Sequence, residues 1–176
     1  MGGPKWRLEI GGRSFLAQIL QTLGEAEIDR VVCVAGGQFT ASVQRLFPGV
    51  TVVTNDKPDE GMLSSVKIGL VPLATLEGVL TVHVDHPLVL ESTYRALVAK
   101  FGDDPGAVVK PVHQGRSGHP ILIPQGLFKV IMQSDNRTSL NELIRASDLR
   151  QLLLCCDDPG IVNNLNTKLD LAAVGR

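Results

Sequence analysis

Short, nearly continuous runs of Val, Leu, Ile and Thr alternate along this chain with stretches whose apolar residues recur at helical spacing. "RVVCVAGG" at 30–37, "VTVVTN" at 50–55 and "GVLTVHVDHP" at 78–87 are too uniformly apolar for strands with one wet face, and they predict buried strands. "GAVVKPV" at 106–112 and "HPILIP" at 119–124 predict two more. Ser14 is placed to cap a helix in which Phe15, Leu16, Ile19, Leu20 and Leu23 share a face, with Gly24 as its stop. Further helices are expected over 38–46, 61–74, 91–101 and 138–147, the last starting near Thr138 or Ser139. Alternation of this kind specifies an α/β fold, a mostly parallel sheet covered by helices.

The 176 residues suit a single domain spanning 1–176. A formal net charge of -1 with 44% hydrophobic residues excludes both disorder and a broad basic surface for nucleic acid. No apolar run reaches the roughly 20 residues that cross a bilayer, and "MGGPKWRLEIGG" has no signal-peptide core. The expectation is a cytoplasmic protein with neither membrane nor nucleic-acid partners. Cys33 lies in an apolar run, and Cys155 and Cys156 are adjacent, so the three form neither a disulfide framework nor a zinc spacing. They are expected to be reduced and structural.

Open parallel sheets bind ligands beyond the carboxyl ends of their strands. Here those ends carry Gly36 and Gly37, then Asn55 and Asp56, then Asp85. Turn chemistry alone also favours Gly, Asn and Asp at such places, so the cleft needs chemistry to support it. Asp85 is the leading candidate, because a carboxylate after a central strand can hold a hard cation while a substrate phosphate supplies further oxygens. His83 and Asp85, two apart on an expected strand, would share a face. With His86 they leave open a transition-metal site and a metal-dependent hydrolase. In "DEGMLSSVKIGL" at 59–70, Gly61 followed by Ser64 and Ser65 at a helix start allows backbone N–H groups close to a ligand. "GRSGHP" at 115–120 reads as a turn between strands, with Gly115 and Gly118 permitting it and His119 held extended by Pro120. "NNLNTKLDL" at 163–171 places Asn163, Asn164 and Asn166 ahead of a short final helix, as caps or as neutral metal ligands.

In order, these stretches resemble the nucleotidyltransferases that activate the molybdenum cofactor, above all the cytidylyltransferase type. "MGGPK" at 1–5 and "GGRSFL" at 11–16 match the end of the opening motif and the following helix start. Asn55 with "GMLSS", "DHP" at 85–87, "GHP" at 118–120 and "NLNT" at 164–167 match the later motifs. The resemblance covers nearly the whole chain. It implies a three-layer Rossmann-like fold with helices on both faces of a mostly parallel sheet. It also implies a magnesium-dependent transfer of a nucleoside monophosphate, CMP favoured, from a nucleoside triphosphate (CTP or GTP) to a phosphorylated acceptor such as molybdopterin, with release of pyrophosphate. A molybdoenzyme is the implied protein partner. By matching positions, Lys5 and Asp85 would be catalytic. Lys5, Asn55, Gly61, Ser64 and Ser65 would face the nucleotide, and His86, Gly118 and His119 the acceptor. Asp85, Asn164 and Asn166 would hold Mg2+.

The sequence departs from the pattern in two places. The family's first strand and Gly-rich loop precede the Met-Gly, whereas this sequence opens at that point. The expected consequences are two sheet strands with unpaired backbone groups and loss of the amides that cradle a triphosphate. At the other end, Lys168 stands where Pro is usual, and asparagines replace an acidic pair. Three alternatives follow: an ordinary enzyme whose product begins upstream, a weakly active or inactive relative that binds a cofactor or partner, and the hydrolase.

Overall fold

The computed structural model describes residues 4–165. A short antiparallel pair, β1 (Glu9–Ile10) and β2 (Arg13–Ser14), leads into α1 (Phe15–Glu25). There follow β3 (Val32–Gly36), α2 (Gly37–Leu46), β4 (Thr51–Asn55), α3 (Met62–Leu70), β5 (Gly78–Thr81) and α4 (Glu91–Gly102). The chain continues through β6 (Val108–His113), β7 (Arg116–Ser117), β8 (Ile121–Pro124), α5 (Gln125–Gln133), α6 (Leu140–Ala146) and β9 (Gln151–Cys155). Strands β3 and β4 pair in parallel with Gly36 opposite Asn55, so both carboxyl ends reach the same edge. In a second sheet β8 runs against both β5 and β6, and β9 runs parallel to β6. Strands β5, β6 and β9 therefore share one direction. Among the described residues no backbone ladder joins β3 to β5.

Side chains alternate across the sheet as a pleat requires. On one face Val108, Ile121 and Ile123 pack with Leu63 and Leu70 of α3, Leu127 and Ile131 of α5, and Ile144 of α6. On the other, Val109 and Leu122 meet Leu97 and Phe101 of α4, while α1 packs Leu16 and Leu20 against Cys33, Ala35 and Val43. The result is the three-layer Rossmann-like α/β arrangement expected. Ser14 caps α1 by accepting from the Ala17 N–H at 3.3 Å. Ser139 and Glu142 form a reciprocal capping box on α6.

Four local expectations are corrected. Helix α1 passes Gly24 and ends at Glu25, with Glu27 taking the left-handed turn at φ 62°. Strand β5 ends at Thr81 rather than near Pro87, because its partner strand runs out. Thr81 pairs Ile121, and the next residue on that side is Pro120, which has no N–H to give. His83 and Asp85 therefore lie on a turn, closed by the His86 N–H to the His83 carbonyl at 3.2 Å, and not on one face of a strand. Helix α5 and strand β9 escape the sequence reading. In β9 an unbroken Leu152–Leu154 run hides an alternation in which Leu153 is exposed and its neighbours turn inward.

One buried carboxylate joins the end of β9 to the start of α4. Asp158 is 1% exposed. It accepts from the Leu90 N–H at 2.9 Å, the Thr93 hydroxyl at 2.6 Å and the Gly160 N–H at 2.8 Å. Asp158→Ala leaves three buried donors without an acceptor and should cost about 3–5 kcal/mol in urea unfolding. Asp158→Asn, which keeps one carbonyl oxygen, should lose less.

Candidate active site

The turn that follows β5 carries Asp85 to the edge where strand ends collect. Its side chain is 16% exposed, and its two oxygens face different neighbours. Oδ2 accepts from the Lys5 ammonium at 3.1 Å, and Oδ1 lies 4.0 Å from His86 Nε2. Burial acts to raise the Asp85 pKa, but the Lys5 hydrogen bond and charge outweigh it, and the carboxyl stays below its ordinary value. Asp85 is thus an anion at neutral pH.

Three imidazoles line the same place. The His86 ring is buried, with Nδ1 3.2 Å from the Gly160 carbonyl, which can only accept, so Nδ1 carries the proton. His83 stacks on His119 with ring centroids 3.8 Å apart and planes 29° from parallel. Burial lowers the pKa of His83, against the pull of Asp85. Burial, followed by the neighbouring His83 and His86, pushes His119 down to about 3. His119 Nδ1 is buried without a hydrogen-bond partner among the described residues.

The backbone of 158–165 builds this cluster. The His119 N–H donates to the Ile161 carbonyl at 2.9 Å, and the Leu165 N–H donates to the Asp85 carbonyl, also at 2.9 Å. Gly118 is required by close approach, since a Cβ there would lie 2.1 Å from the Ile161 oxygen. Its role is to let the "GHP" turn meet the 159–161 turn. Asn164 is exposed and immediately precedes Leu165, so its backbone runs beside Asp85. Asn166 lies outside the described residues.

The sequence-predicted residues therefore separate into two groups. Lys5, Asp85, His86, Gly118 and His119 converge, with Asn164 alongside. Asn55 at the end of β4, Gly61 in the following loop, and Ser64 and Ser65 in the first turn of α3 form a second group. Asn55 is 2% exposed, and its amide donates to the Ser64 and Ser65 hydroxyls, each at 2.9 Å. Its oxygen accepts from the Lys57 N–H at 2.9 Å. Ser64 in turn donates to the Gly61 carbonyl at 2.7 Å. Gly61 has φ 114°, and a Cβ there would lie 2.6 Å from the Asn136 carbonyl. The space beside Gly61 is filled by the 136–137 backbone, so this glycine is needed for the fold of the loop. A cavity of about 560 Å³ adjoins that loop, lined by Asp56, Asp59, Glu60 and Asp135 with Lys57 and Arg137. Four carboxylates make it a poor seat for a triphosphate, which favours the Lys5 and Asp85 edge instead.

Sequence reasoning missed Asp158 and the His83 to His119 stack. "DDPG" at 157–160 is a recognisable turn signature, but it does not say which carboxylate is buried. The three cysteines are free, with Cys155 exposed. No helix among the described residues is long and apolar enough to cross a membrane.

A three-layer α/β sheet with a half-buried carboxylate and a lysine at the carboxyl ends of its strands defines a class of phosphate-handling domains. Within that class, the family model for the MobA-like NTP transferase domain matches residues 1–159. The chain belongs to this family. It is 29% identical over 99 residues to the molybdenum cofactor cytidylyltransferase of Escherichia coli (strain K12), a match covering 56% of this chain and 50% of that protein. The match thus spans half the length of this curated relative. Among solved structures, the Rv0371c homolog from Mycobacterium sp. strain JC1 superposes with a TM-score of 0.81 at 20% identity, covering 99% of this chain and 89% of that one. Rv0371c of Mycobacterium tuberculosis, solved in complex with manganese, gives 0.75 at 20% identity, covering 97% and 90%. At that identity the structural likeness speaks for the fold.

Because His119 is depressed to about 3 in the folded chain, and an unfolded histidine titrates near about 6.5, the unfolded state binds the extra proton between those values. Stability should fall as pH drops from about 6.5 toward about 3. In His119→Phe the acid limb of urea midpoint against pH should be shallower than in the wild type.

Proposed function

We propose that this chain is a nucleotidyltransferase acting as a single domain over 1–176. It transfers a nucleoside monophosphate, CMP in preference to GMP, from CTP or GTP to a phosphorylated acceptor of the molybdopterin kind, and pyrophosphate leaves. The supporting observation is the Lys5 to Asp85 pair, one cation and one half-buried anion at 3.1 Å, on the turn that follows the carboxyl end of β5. The E. coli relative's name supplies the cytidyl and molybdenum cofactor elements of the reading. A molybdoenzyme that receives the product is the proposed protein partner, and the cytoplasm the proposed location.

The donor set fits a divalent ion. Asp85 is anionic, and Asn164, which precedes the Leu165 N–H that bonds the Asp85 carbonyl, would bring a neutral carboxamide. Asp85 with Asn164 and Asn166 would hold magnesium, which supplies charge neutralisation for the triphosphate. The Lys5 ammonium, 45% exposed and already turned toward the site, neutralises negative charge that grows on the departing pyrophosphate. A phosphate oxygen of the acceptor forms the new bond to the α-phosphorus as the bond to pyrophosphate breaks. That oxygen is ionised at neutral pH, so no side chain is needed as nucleophile or strong base. His119, held neutral by its burial, and His86 line the acceptor side with Gly118. Asn55, Gly61 and Ser64 keep the junction between β4 and α3 in shape, and Ser65, whose hydroxyl accepts from Asn55, would face the nucleotide from the start of α3.

Pyrophosphate release with Mg2+ and molybdopterin, compared between CTP and GTP, tests the reading, with CTP the faster donor. Asp85→Ala should lower turnover by about 100-fold or more with an unchanged circular dichroism spectrum. Lys5→Ala should also lower kcat. Full turnover in Asp85→Ala removes Asp85 from the mechanism.

A further inference from the structure

The histidines beside Asp85 are more elaborate than an oxygen-only magnesium site requires. One ligand atom from each of His83, Asp85 and His86 lies within 4.8 Å of the others. Metal-binding histidines characteristically donate their second ring N–H to a backbone carbonyl, which fixes the tautomer and leaves the other nitrogen bare. His86 meets this condition. Nδ1 is committed to the Gly160 carbonyl at 3.2 Å, and Nε2 is directed toward Asp85 Oδ1 at 4.0 Å. Two metal–ligand bonds of about 2.1 Å at a tetrahedral angle put the ligand atoms about 3.4 Å apart, so a small closure of that pair would bring both atoms onto one ion. The ring of His83 is held in plane by its stack on His119, at 3.8 Å between centroids. Lys5 approaches the opposite carboxylate oxygen, Oδ2, so the side of Asp85 that faces nitrogen is not the side that faces the ammonium.

We infer that His86 and His83 join Asp85 in a mixed nitrogen and oxygen site that selects a late first-row divalent ion, of the cobalt or zinc type, over magnesium. The inference rests on the reading of Asp85 as a metal ligand and adds the imidazoles to it. Magnesium prefers oxygen ligands and gives up its waters reluctantly. Cobalt and zinc gain from imidazole nitrogen, and their affinity for a given site rises along the first row. A preference for cobalt over magnesium is therefore expected of most sites, and the diagnostic quantity is how much of it depends on the histidines.

The test uses the full chain without nucleotide, titrated separately with Co2+, Zn2+ and Mg2+ by calorimetry, with visible absorption of the cobalt form as a second readout. His86→Asn is the chosen variant, because an amide N–H in place of Nδ1 keeps the bond to Gly160 while Nε2 is lost. It should weaken Co2+ and Zn2+ by about tenfold or more, shift the cobalt spectrum, and leave Mg2+ within about twofold. His83→Asn, at a less buried position, should give the same split and serves if His86→Asn unfolds. Equal loss for all three ions, or no loss, overturns the inference. If Asp85→Asn abolishes binding of every ion while both histidine variants bind as the wild type, Asp85 remains a metal ligand and the imidazoles do not. If Asp85→Asn also leaves binding intact, both readings fall.

Discussion

The turn at 158–161 holds the site together. It offers no catalytic group of its own, yet most of the active edge hangs from it. Asp158 grips Leu90 and Thr93 at the start of α4, Gly160 fixes the tautomer of His86, and Ile161 anchors His119. Four residues on, Leu165 returns to bond the Asp85 carbonyl. A buried anion with three donors is costly to desolvate but highly directional once satisfied. That directionality lets a loop just beyond a strand present a carboxylate and an imidazole in a fixed relation.

The electrostatics follow from the same packing. Asp85 keeps its charge despite partial burial because Lys5 is there to meet it, while His83 and His119 are driven toward neutrality by the interior they share. One anion, one cation and neutral rings meet at the sheet edge without creating a large positive field. This agrees with a chain whose net charge is only -1. Attraction is local, and it is built from a few side chains that the turn and the sheet bring within reach of one another.

Membership of the MobA-like NTP transferase family accounts for the order of the motifs, but geometry divides the labour among them. Asn55, Gly61 and Ser64 look like ligand-facing residues in a linear reading, yet Asn55 and Ser64 are hydrogen-bonded within 55–65 and the space beside Gly61 is filled by the 136–137 backbone. His83 and His119, 36 residues apart along the chain, stack face to face. A linear motif reports that a residue type is needed at a position and is silent on whether substrate or scaffold uses it.

The sequence by itself determined the layered α/β fold, because β-branched runs favour strands and the intervening 3.6-residue periodicity favours helices packed on them. The full burial expected of the strands holds for β6 and β8, whereas β3, β4 and β5 are mostly half-buried. It also determined the cap at Ser14 and narrowed that of α6 to Thr138 or Ser139, of which the structure uses Ser139; both caps are local hydrogen bonds between residues three apart. It did not give the end of β5, which depends on Pro120 of a different strand having no N–H to offer. Nor did it give helix α5, strand β9 or the buried state of Asp158, since each is decided by what lies across the sheet. The pairing of Lys5 with Asp85, and of His86 with Gly160, joins residues 80 and 74 positions apart. Side-chain charge and tautomer at such distances are properties of the folded neighbourhood, which only the tertiary structure supplies.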